Sequence, residues 1–138
     1  MTGWKAPLGP LLLALGLAGS GCGKFREISL CRGLARDING ALDEIEALSK
    51  AKPVDELRIA KRYGQLATTL APRAQGEQPL AMAVREYIAV LHATEIAVKN
   101  HEATSKGQAA RIEPRRELER LVKRERAAAT RIEAECHN

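Results

Sequence analysis

Aromatic side chains are nearly absent from this chain: one Phe, one Trp and two Tyr make up 3% of its 138 residues. Trp4 lies in an apolar leader, so any folded domain beyond it has only Phe25, Tyr63 and Tyr87. Its core must then be assembled from Leu, Ile, Val and many Ala, a composition that suits closely packed helices. The shortage also removes the stacking platform on which single-stranded nucleic acids are held, and no nucleic-acid partner is expected. The alternation of apolar and polar residues that marks a strand is missing as well. Equally absent are a Ser-His-Asp order, a phosphate loop and a pair of carboxylates spaced for a cleft, and the expectation is a protein that is not an enzyme. There is no internal repeat, and the brief Ala127-Ala128-Ala129 run is ordinary helix sequence.

What is present begins with that leader. Lys5 supplies a positive start, an apolar stretch runs from Leu8 to Ala18, and small residues lead into Cys22. The stretch is too short to span a bilayer as a helix. Pro7, Pro10, Gly16, Gly19 and Gly21 would disfavour a stable helix inside a fold. Residues 1–21 therefore read as a cleaved signal peptide.

The segment Ala18-Gly19-Ser20-Gly21-Cys22 resembles the lipobox of bacterial lipoproteins, in which the cysteine is acylated and becomes the first residue of the mature chain. Ser20 and Gly21 fit that pattern, and Gly19 stands where the family usually has Leu or another aliphatic residue. Ala18 and Ser20 also form a small-x-small site, so ordinary cleavage after Ser20 and a secreted, unlipidated protein is the alternative. Cysteine arithmetic favours lipidation, because withdrawing Cys22 from the thiol pool leaves two cysteines, whereas simple secretion would leave three. The resemblance implies an acyl anchor on Cys22 and, since Gly23 is not the Asp of the enteric retention rule, an outer-membrane address. Cleavage before Cys22 would leave 117 residues, enough for one domain with one core.

Beyond a short tether over 22–28, apolar residues recur at alternating spacings of three and four, which predicts helices. The first, 29–49, aligns Cys31, Leu34, Ile38, Ala41, Ile45 and Leu48, with Ser29 as its N-cap. Three later helices are predicted to open on a proline: 53–71, 79–100 and 114–136, beginning at Pro53, Pro79 and Pro114. Pro72 is expected to stop the second. The third is the most apolar, and the fourth carries Leu118, Val122, Ala129, Ile132 and Cys136 on its stripe with Glu125 as its one polar intruder. Four helices of such length with short connections predict an all-α domain over 29–138, an antiparallel up-down-up-down four-helix bundle.

In that arrangement the start of the first helix lies beside the end of the fourth. Cys31 and Cys136 are each in phase with their helix's core stripe, which predicts a Cys31–Cys136 disulfide. It would close a loop of about 100 residues and contribute about 4 to 5 kcal/mol in the chain-entropy model. The six residues from Gly23 to Ile28 reach at most about 20 Å, placing the disulfide end near the lipid.

The formal charge is +5, from 22 Lys and Arg against 17 Asp and Glu. The excess gathers on the fourth helix, where Arg115, Arg116, Arg120, Lys123 and Arg124 form a candidate anion-facing surface, the alternative being an ordinary solvated face. His92 and Glu95 are three apart, but facing Glu-x-x-His units are lacking for a di-metal site, and His101-Glu102 lacks the second histidine of a zinc-protease helix. No metal or other cofactor is expected. Glu133-Ala134-Glu135-Cys136-His137 resembles the end of the Cys-x-x-Cys-His haem site of four-helix cytochromes of the c′ kind. Glu133 replaces its first cysteine, and Met82 lies off the main stripe where an axial ligand is needed.

The expectation is thus a membrane-anchored cell-envelope lipoprotein whose helical bundle acts as a structural, assembly or accessory module for an envelope protein partner. The alternative from another class is a periplasmic bundle that binds a small ligand or haem in its core.

Overall fold

In the computed structural model, residues 22–105 and 112–137 are described, with side chains from 28–104 and 115–137. The leader, residues 1–21, lies outside the described residues, and so does the side chain of Cys22. Four helices follow in order: α1 (Cys22–Lys50), α2 (Glu56–Leu70), α3 (Pro79–Ser105) and α4 (Ile112–His137), with a 3₁₀ turn, Ala71–Ala74, after α2. No strand occurs among the described residues.

The helix boundaries correct several sequence expectations. α1 begins at Cys22, so 22–28 is not an extended tether and Ser29 lies inside the helix. No proline or second capping residue intervenes there to stop a helix from running back through Glu27, Arg26 and Lys24. α2 starts at Glu56 rather than Pro53, because the Asp55 side chain accepts a hydrogen bond from the Arg58 backbone N–H at 3.1 Å and caps the helix. The α-helix does end where Pro72 is expected to stop it, at Leu70, and only a 3₁₀ turn carries on through this proline. Pro72 sits in the first turn of the 3₁₀ segment, where a missing N–H leaves no bond unmade. Gly76, at φ +100°, then turns the chain in a conformation that residues with a Cβ avoid, and the Arg85 guanidinium donates to its carbonyl.

Each helix buries the stripe that its periodicity marks. α1 contributes Leu34, Ile38, Leu42 and Ile45, α2 contributes Ile59, Tyr63, Leu66 and Leu70, and α3 contributes Val84, Tyr87, Leu91 and Val98. Leu118, Leu121 and Ile132 of α4 complete one continuous core, in which alanines on all four helices let the backbones approach. α3 is the hub, packing broadly against both α2 and α4, while α1 lies mainly on α2 and meets α4 only sparsely.

Cross-helix polar side-chain pairs staple this packing at the rim. Arg73 meets Asp37 at 2.5 Å and Arg62 meets Glu44 at 2.6 Å, joining the 3₁₀ turn and the middle of α2 to α1. His101 Nδ1 lies 2.9 Å from Glu56, joining the end of α3 to the start of α2. Arg131 pairs with Glu86, joining α4 to α3.

Candidate functional site

The disulfide expected from the sequence is present. Cys31 and Cys136 are bonded at 2.05 Å with their Cα atoms 6.0 Å apart, across 105 residues of chain. Cys31 is fully buried and Cys136 is half-buried at the last turns of α4. Because α1 touches α4 so little, this covalent link is the main tie across that seam. It also commits Cys136, so a thioether to haem at that residue is not compatible with this structure.

The most unusual chemistry lies at the centre of the core. Glu125, the polar residue on the α4 stripe, is 2% exposed, and it faces Tyr63 of α2 and Tyr87 of α3, at 1% and 0%. Neither carboxylate oxygen nor the Tyr87 hydroxyl has a hydrogen-bond partner among the described residues. An ionised carboxylate in such surroundings loses its hydration without replacement, so burial pushes the Glu125 carboxyl up from an ordinary 4.5 to about 7. The Tyr87 hydroxyl and Arg126 pull in the opposite direction. The hydroxyl does so without reaching hydrogen-bond geometry. Burial, reinforced by the Glu125 charge, pushes both tyrosines well above their usual range, so they remain neutral phenols. Among its described side chains, α1 brings only Cys31, Ser49 and apolar groups to the core, and none of them offsets the carboxylate charge. The cluster can therefore hold or release one proton inside the bundle.

Sequence reading singled out Glu125 but not its partners, because only the packing of three helices brings Tyr63 and Tyr87 to it. Two surface features also escaped notice. A broad open groove of about 1010 Å³ runs along α2 and α3, and at its floor the Glu95 carboxylate lies where a Cβ on Gly64 would come within 2.8 Å. A smaller hollow of about 100 Å³, lined by Val54, Ile59, Val98 and Leu118, is bordered by the Glu56–His101 pair.

The other candidate residues fall on the surface. His92 lies 3.7 Å from Glu95, which also pairs with Lys99 at 3.0 Å, a local polar cluster. Among the described residues, no group of three His, Cys, Asp or Glu side chains could hold a metal ion. Met82 is 45% exposed. Arg115, Arg116, Arg120, Lys123 and Arg124 all point to solvent from the first half of α4. Arg115 reaches Glu119 at 4.0 Å and Arg120 reaches Glu117 at 2.6 Å. Lys123 and Arg124 meet no acidic partner among the described residues.

Compared with known proteins, the chain matches no family model, no curated protein and no solved structure. What it does has to be argued from its own residues.

Proposed function

We propose that this chain is a small envelope lipoprotein: the leader is removed, Cys22 is acylated, and the helical domain is held at the outer membrane as a non-enzymatic structural, assembly or accessory module for an envelope protein. The observation that carries the reading is the pairing of Cys31 with Cys136. It withdraws two of three cysteines and leaves Cys22, the residue that closes the apolar leader, as the single cysteine available for modification. Among the described residues no helix is long and apolar enough to cross a membrane, so a membrane address would depend on that anchor or on surface contacts.

The path of the chain belongs to the same proposal, an antiparallel up-down-up-down bundle. Supporting it, partners climb one helix as they descend the next: Asp37 with Arg73 and Glu44 with Arg62, then Glu56 with His101 and Gly64 with Glu95. Such a path puts the start of α1, and with it the anchor, at the disulfide end.

Intact mass of the protein purified from its native envelope, with and without reduction and alkylation, tests the reading. The expected species starts at Cys22, carries acyl chains, and gains two alkyl groups only after reduction. A chain starting at Gly21 without acyl mass would overturn it in favour of secretion.

A further inference from the structure

We infer that the outer face of α4 is a docking surface for the phosphate headgroups of an anionic bilayer, laid lengthwise against the membrane. The face is the line Arg116, Arg120, Lys123, Ala127, Thr130 and Ala134, stepping by four and three so that all six share one side of the helix, opposite the buried Leu118, Glu125 and Ile132. All six are exposed, and no carboxylate stands on the line. Its first half is cationic and its second half is small, so along about 27 Å of helix the line itself sets no carboxylate against a flat anionic surface.

Charge complementarity names the occupant. Glu117 and Glu119 sit to either side of the line and draw on Arg120 and Arg115. Lys123 and the neighbouring Arg124 are exposed and make no ion pair with an acidic side chain among the described residues. Guanidinium forks match phosphate oxygens bidentately, and each Lys or Arg close to an anionic leaflet strengthens binding about fivefold. An acidic protein groove would ask for apolar anchors among the charges, whereas this stripe offers only Ala and Thr. The choice of a membrane as the anionic surface rests on the envelope reading, but the contact itself does not depend on acylation of Cys22.

The test compares variants of the full chain with one common N-terminus, so that any acyl or leader contribution is the same in each. Partitioning onto vesicles of phosphatidylcholine with 30% phosphatidylglycerol, a test mixture chosen at about one anionic lipid in three, is measured against pure phosphatidylcholine at low and high salt. Replacing Arg116, Arg120, Lys123 and Arg124 with Ser should lower the anionic preference at least tenfold, with most of its salt dependence. A second variant, with Arg32, Arg36, Arg58 and Lys61 replaced by Ser, removes the same charge from exposed positions on α1 and α2 and should lose no more than about threefold. Equal losses in the two variants would reduce the effect to net charge and overturn the proposal. So would binding indifferent to phosphatidylglycerol, or a loss seen only on a soluble acidic polypeptide and not on vesicles. Failure of the acylation reading would appear separately, as missing acyl mass with this binding intact.

Discussion

Replacing Glu125 with Gln should remove a fall in stability of about 3 kcal/mol that this carboxyl contributes between about pH 4.5 and 7. In the unfolded chain the carboxyl titrates at its ordinary 4.5, and in the folded protein at about 7, because burial disfavours its charge. Below the lower value both states carry the proton and stability does not vary with pH on this account. Between the two, the unfolded state has released the proton and the folded state has kept it, so stability falls by about 1.4 kcal/mol per pH unit. Above the upper value the loss is complete, at about 3 kcal/mol, a sizeable part of the 5 to 15 kcal/mol typical of a domain. Gln keeps the shape and cannot ionise, so the variant should match the parent near pH 5 within about 1 kcal/mol, the cost of its own poorly paired amide. By pH 8 it should be more stable than the parent by about 2 kcal/mol. Urea denaturation followed by circular dichroism at pH 5, 6, 7 and 8 reads this directly, because other titrating groups cancel in the difference between the two proteins. Parallel stability profiles for parent and variant would refute a proton held at the centre of the core.

Tyr87→Phe removes the hydroxyl that restrains the Glu125 carboxyl, and the fall in stability with rising pH should extend to higher pH than in the parent, seen in the same denaturation series. Cys31→Ser should free one titratable thiol at Cys136 and lower unfolding stability by about 4 kcal/mol, less if the unfolded chain retains structure, which alkylation mass and thermal melts would report. Gly40 lies within α1 with nothing within 4 Å of where a Cβ would stand, so Gly40→Ala should raise stability by about 0.5 to 1 kcal/mol and increase the melting temperature. A lower melting temperature for that variant would mean that α1 is not helical there.

Much of the fold could be read in residue spacing. The positions Leu34, Ile38 and Ile45, or Val84, Tyr87 and Leu91, recur with the period of a helix whatever surrounds them, and they are the residues found buried. The helix ends were harder to read. Pro53 suits a first helical residue, but Asp55 offers a capping oxygen two residues later, and a made hydrogen bond outweighs a preset φ. α1 starts at Cys22, seven residues before Ser29, because Ser29 is as compatible with an exposed helical position as with a cap.

The candidate site divides in the same way. That Cys31 and Cys136 fall on core stripes, that Cys22 closes an apolar leader, and that basic residues crowd one side of the last helix are properties of order along the chain, and local periodicity is enough to establish them. That Glu125 faces two phenols with no hydrogen-bond partner for its oxygens among the described residues, that Glu95 rests against Gly64, and that α1 meets α4 sparsely but is bonded to it through a disulfide are relations between helices distant in sequence. A stripe says only that a side chain points inward. The chemistry it meets there, and hence whether a buried carboxyl keeps its proton, is set by which other stripes are packed against it and at what height along the bundle.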